Sequence, residues 1–124
     1  MNLLLDTHTF LWWLAGDPLE PAAAERIADP DVLVAVSAAS AWEISIKQSL
    51  GMLRFDGDVA DSVTGNGFEP LDISIAHAVR AGALPGHHRD PFDRMLVAQA
   101  QSEGLVLVTR DGRLNDYEVD ILPC

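Results

Sequence analysis

The chain has 124 residues, 48% of them hydrophobic, which suits one globular domain spanning residues 1–124, and no apolar run approaches the length of a membrane span. Nineteen acids against eight bases give a formal charge of −11, which argues against a general nucleic-acid binder with a basic footprint. One cysteine, Cys124, excludes an internal disulfide framework and a cysteine zinc site, and the N-terminus MNLLLD does not read as a signal peptide, so a reducing, cytoplasmic setting is expected.

Residues 2–5 (NLLL) read as a strand buried on both faces, with Asp6 abutting its C-terminal end. THTFLWWLAG then reads as a helix, starting near Thr7 or Thr9 and stopped by Gly16. Trp12 and Trp13 are adjacent and cannot share one face, so one is expected in the core and the other partly exposed. LEPAAAERIAD is a second helix, broken by Asp29-Pro30-Asp31. Residues 32–36 (VLVAV) form the second buried strand. Ser37 or Ser40 caps SAASAWEISIKQSL, where Trp42, Ile46 and Leu50 recur at helical spacing and Gly51 ends the run. Glu43 falls in the first two turns, where an acid is ordinarily just solvated.

Residues 56–67 predict a short helix between loops. Residues 68–73 predict a weak strand, which Pro70 confines to an edge or a strand end. Ser74 caps SIAHAVRAGAL, with Ile75 and Val79, and then Ala78 and Gly82, expected toward the core; His77 is assigned no chemistry. PGHH is a turn. In the following HRDPFDRMLVAQA, Pro91 suits the first helical position, Asp90 the N-cap and Asp93 the third helical position. This helix runs to Gly104. Residues 105–108 (LVLV) are the last strong strand, ending in Thr109-Arg110-Asp111, and residues 117–122 are an edge strand at best.

Strands alternating with helices predict an α/β fold, a mostly parallel sheet flanked by helices, with its ligand site outside the C-terminal strand edge. The acids then converge. Asp6 ends the first strand, Glu43 lies early in the helix after the second, Asp93 opens the helix leading to the last, and Asp111 follows that strand. Two unit charges about 4 Å apart repel by roughly 4 kcal/mol at an effective dielectric near 20. Lys47 is the only lysine available to compensate them. A hard divalent cation relieves the conflict, and Mg²⁺ or Mn²⁺ suits carboxylate-and-water sites. Two Mg²⁺ ions would bring the net charge from −11 to −7 by addition. Arg89, Arg94, Arg110 and Arg113 cluster near the same residues, as phosphate-holding groups or as solvated charge.

LLLDTHTFLWWL, SAASAWEISIK, HRDPFDRMLVAQA and LVLVTRD together resemble a PIN-domain protein, most closely the VapC-type toxins of bacterial toxin–antitoxin pairs. The resemblance implies an Mg²⁺-dependent endoribonuclease with an α/β/α sandwich fold, acting on single-stranded RNA segments. By position it implies Asp6, Glu43, Asp93 and Asp111 as metal-site acids. Asp90 is left as cap, supporting group or extra ligand, with the cap favoured, and Thr7 and Thr109 as groups that orient ligands or waters from behind. It also implies an antitoxin partner that covers the acidic groove, and a homodimer. Two rivals share the architecture. A receiver-type phosphoacceptor wants an acidic pair after the first strand and a late lysine, where this chain has Asp6-Thr7-His8 and Arg110. A haloacid-dehalogenase-like phosphatase wants D-x-D, where His8 stands in the second place. A binding protein whose acids do no chemistry is the third alternative.

Overall fold

Three leucines set the centre of the molecule. In the computed structural model, which describes all 124 residues, Leu3, Leu4 and Leu5 form strand β1 (Leu3–Leu5) and are fully buried. Alternation along a strand sends successive side chains to opposite faces. Leu3 and Leu5 accordingly join one core cluster, with Phe10, Ile27, Ile44, Val63 and Phe68. Leu4 joins the other, with Leu96, Val97, Ala100, Leu114 and Tyr117. The sheet is therefore covered on both sides, as an apolar run without alternation requires.

The chain continues through α1 (Thr7–Ala15), α2 (Pro21–Ala28), β2 (Val34–Ser37), α3 (Ala38–Ser49), α4 (Val59–Gly65), β3 (Glu69–Leu71), α5 (Ile75–Ala83), α6 (Pro91–Glu103), β4 (Val106–Thr109), a 3₁₀ turn at Gly112–Asp116 and β5 (Ile121–Pro123). The five strands are ordered β3-β2-β1-β4-β5 and every pairing is parallel. The expected α/β architecture is thus present, with a fully parallel sheet. Leu5 pairs with Val36 on one side and Val108 on the other, so β1, β2 and β4 end level with one another. From β1 the chain builds outward to β2 and β3, then returns to add β4 on the opposite flank. The C-terminal ends of β1 and β4 therefore bracket the point where the direction of winding reverses, which is where open parallel sheets bind ligands.

The helix boundaries follow the expected signals. Gly16 and Gly104 close α1 and α6 in the left-handed conformation, at φ 73° and 65°. Ser37 and Ser74 cap α3 and α5. No helix is long and apolar enough to cross a membrane.

Two helix faces differ from expectation. In α5 the apolar pair Ile75 and Val79 is 86% and 68% exposed, and Ala78 and Gly82 are exposed as well. His77 and Ala81 are buried instead. Ala81 lets α5 approach α6 closely, and His77 is fully satisfied: Nδ1 accepts from the Ser74 N–H, and Nε2 lies 2.8 Å from Glu103 of α6. In α3, Trp42 is exposed, as is Leu50 just past its end, whereas Ala39, Ser40, Glu43 and Ile44 face inward. Trp12 and Trp13 are both half-buried rather than divided between core and surface.

Candidate metal centre

Strand ends and helix starts position every acid of the site. Asp6 terminates β1 and caps α1: its Oδ1 accepts the Thr9 N–H at 2.7 Å. Its Oδ2 accepts the Thr109 hydroxyl from the end of neighbouring β4, and its own N–H donates to Val108 O at 3.1 Å. Asp6 is thereby fixed across the reversal point by a strand 103 residues away in sequence. Thr109 is the residue that orients it. Thr7 donates to the Ser40 hydroxyl at 2.9 Å, which ties the start of α1 to α3 and does not reach an acid.

Glu43 is 4% exposed, not solvated, and its only cationic neighbour is Lys47, one helical turn on, at 2.7 Å. Asp90 caps α6, its Oδ1 accepting the N–H groups of Phe92 and Asp93. That leaves Asp93 free to project from the first turn of α6. Asp111 caps the 3₁₀ turn and is gripped by Arg113, whose Nε and Nη2 reach its two oxygens at 3.0 and 2.8 Å.

The charges interact. Burial, with the negative charges of Asp90, Glu43 and Asp6, pushes the Asp93 carboxyl up to about 6, against a smaller opposing effect from His88. The Arg113 guanidinium holds the Asp111 carboxyl down to about 2. Asp93 is thus the point at which the cluster's unbalanced charge is felt. Asp93 and Asp111 come together around one side chain, whereas Asp6 and Glu43 act on Asp93 as nearby charges outside that tight group; a divalent cation with oxygen ligands fits the carboxylate donors.

A residue that the sequence reading passed over lies at the centre. His88, in the turn before α6, is 9% exposed, and its Nε2 lies 2.9 Å from Asp93 Oδ2 and 3.3 Å from Asp111 Oδ2. Nδ1 faces the Asp90 N–H at 3.3 Å. These three side chains group tightly enough to hold one ion. A histidine within a PGHH turn carries no burial signal of its own. The only local hint was its position two residues before a capping aspartate.

The arginines divide. Arg94 donates to the carbonyls of Ala81, Leu84, Pro85 and His88 and contacts the Tyr117 hydroxyl, so it braces the α5–α6 connection. Arg110 lies 4.0 Å over the Trp12 ring and donates to Pro18 O. Arg94 is corrected from a phosphate contact to a structural group, because its terminal donors are spent within the fold, whereas Arg110 is exposed and keeps most of its donors. Arg113 is committed to Asp111, and Arg89 is exposed with no partner.

Residues 3–120 match the PIN domain family. The chain belongs to the PIN-domain family. It is 33% identical to Ribonuclease VapC22 of Mycobacterium tuberculosis, over 94% of this chain and 92% of that protein. Its fold is similar to that of VapBC2 from Rickettsia felis bound to a DNA fragment from their promoter, with a TM-score of 0.70 and 15% identity over 100% of this chain and 99% of that one. FitAcB from Neisseria gonorrhoeae gives 0.68 at 18% identity, covering 97% and 96%. DNA-bound VapBC from Salmonella typhimurium gives 0.67 at 21% identity, covering 99% and 98%. The receiver-type reading is not favoured by the PIN-domain match, which spans nearly the whole chain.

Proposed function

We propose that this PIN-domain protein is the ribonuclease toxin of a toxin–antitoxin pair, an endonuclease that hydrolyses RNA phosphodiester bonds with Mg²⁺, or Mn²⁺, as cofactor. The observation that carries the reading is the burial of Asp6 and Glu43 beside Asp93, an arrangement costly without a cation. The 33% identity to a named ribonuclease over almost the full chain supports the chemistry and the substrate class.

Asp6 and Asp93 would be the principal ligands, with Asp111 completing the site directly or through water and Glu43 a ligand or the group that orients the attacking water. When bound, a divalent cation supplies Lewis-acid polarisation of the scissile phosphate and acidifies water at neutral pH. The protein's part is positional. Thr109 and the Thr9 N–H hold the two oxygens of Asp6 in place, so this carboxylate would need little reorganisation to act as a ligand. Asp90 sets the first turn of α6 and with it the direction of Asp93. Arg89 would meet a flanking phosphate. Attack by water at phosphorus leaves a 5′-phosphate and a 3′-hydroxyl.

The structural relatives are named as toxin–antitoxin complexes, which supports an antitoxin as partner here too. An arginine-bearing antitoxin segment would complement the carboxylates. A homodimer, with its membrane-free setting in the cytoplasm, completes the proposal. Asp6→Asn and Asp93→Asn should each abolish cleavage of RNA while leaving the circular dichroism spectrum unchanged. Full ribonuclease activity in both variants would overturn the assignment.

A further inference from the structure

His88 Nε2 is the one fully buried side-chain nitrogen or oxygen without a hydrogen-bond partner, even though two carboxylate oxygens stand 2.9 and 3.3 Å away. A ring N–H bonds well only along its own axis, within roughly 30° to 60° of linear. Both oxygens therefore lie off that axis, beside the nitrogen rather than in front of it. An imidazole placed to donate to Asp93 or Asp111 would aim at one of them.

Off-axis oxygens are what a shared cation requires. Two ligand atoms about 2.1 Å from one ion and at right angles to each other are roughly 3.0 Å apart. The observed separations of 2.9 and 3.3 Å straddle that value. The histidine is also held for the purpose from outside the acidic cluster. Its backbone N–H donates to the Tyr117 hydroxyl at 3.0 Å, and its carbonyl accepts from Arg94 at 3.2 Å. The Arg94 clamp thus ends on the residue whose side chain is unsatisfied.

We infer that His88 is a ligand of the cation through Nε2, alongside Asp93 and Asp111, so that the site prefers Mn²⁺ to Mg²⁺. The inference rests on the metal-dependent function proposed above and deepens it by naming which ion the site selects. Imidazole nitrogen favours first-row transition ions, whereas all-oxygen sets suit Mg²⁺. Coordination at Nε2 places the ring proton on Nδ1. The 3.3 Å contact in which the Asp90 N–H donates to Nδ1, at the long limit for a hydrogen bond, is given up when the ion binds.

Full-length protein labelled with ¹⁵N-histidine and loaded with Mn²⁺ tests this by electron spin-echo spectroscopy. A ¹⁵N coupling of the size given by a directly bound imidazole is expected, lost in His88→Gln and retained in His87→Gln. His88→Gln should also weaken Mn²⁺ binding at least about tenfold, with a smaller effect on Mg²⁺. Mn²⁺ bound without ¹⁵N coupling overturns the histidine ligand while leaving the carboxylate site intact. Coupling that survives in His88→Gln overturns it too, since another histidine would be responsible. No Mn²⁺ binding in the wild type would remove both this inference and the metal-dependent reading. Absence of coupling in the wild type decides by itself; if His88→Gln folds poorly, coupling retained in His8→Gln, His77→Gln and His87→Gln assigns the signal to His88, and its loss in one of those variants overturns the assignment.

Discussion

Asp93 and Asp111 flank one imidazole yet hold their protons in opposite ways, and the cause is their neighbours. Asp93 faces burial and three other acids; Asp111, near the surface, faces a guanidinium. A carboxyl raised in the folded state makes the fold bind protons more tightly than the unfolded chain does. In metal-free protein, stability should therefore be fullest below the unfolded value of 3.8 and fall as the pH rises to about 6, levelling off beyond. The shift from 3.8 to about 6 corresponds to about 3 kcal/mol, and partial solvent screening brings the loss attributable to Asp93 to roughly 2 kcal/mol. Urea unfolding in EDTA from pH 4 to 7.5 would check this. Asp93→Asn should remove that decline and be the more stable protein at neutral pH, so coincident wild-type and Asp93→Asn profiles would contradict it. The depressed carboxyl of Asp111 works the other way, its contribution vanishing as the pH drops toward about 2. Its partner Arg113 is well exposed and the pair is screened by solvent, so its share is small.

At the level of elements, the joint between α5 and α6 carries the site. Arg94 gathers four carbonyls from the end of α5 and the following turn; that of Leu84 has no other donor, while the Tyr117 hydroxyl also reaches those of Pro85 and His88. Arg94→Met should cost about 2–4 kcal/mol in denaturant unfolding, and Arg94→Lys should recover only part of it, because an ammonium lacks the planar fork. Equal stability of Arg94→Met and wild type would show that the clamp is ornamental. The same joint marks where the sequence could be read and where it could not. Asp6 at a strand end and Asp90 at a cap are set by their immediate neighbours, so local pattern located both. Which face of α5 packs inward is decided by α6, 22 to 26 residues later, where Gln99 and Glu103 meet His77. Ile75 and Val79 made the more apolar stripe, but His77 and Ala81 made the one that fits. His88 escaped for the same reason: Tyr117, 29 residues on, helps to bury it. Trp42 follows suit, packing edge-on against Phe92 at 5.3 Å on the surface rather than in the core.

For the whole molecule, the excess of negative charge and the proposed cation belong to one balance. A ligand that binds only the folded state at 100 times its dissociation constant adds about 2.7 kcal/mol, which for a domain of this size raises the melting temperature by about 10 °C. Saturating Mn²⁺ should produce such a rise in the wild type and almost none in Asp6→Asn or Asp93→Asn, as followed by differential scanning calorimetry. A wild-type melting temperature indifferent to Mn²⁺ would argue against a cation site. The parallel sheet adds a constraint in time. β1 is the first strand made, but the strand that locks Asp6 through Thr109 is nearly the last, and Asp111 lies beyond it. A nascent chain that has emerged only as far as α5 has Asp6 and Glu43 but neither their fixed geometry nor their partners. The acidic centre comes into being only once the chain has grown past Asp111, so a shorter polypeptide, still tethered to the RNA that encodes it, has no assembled site with which to cut it.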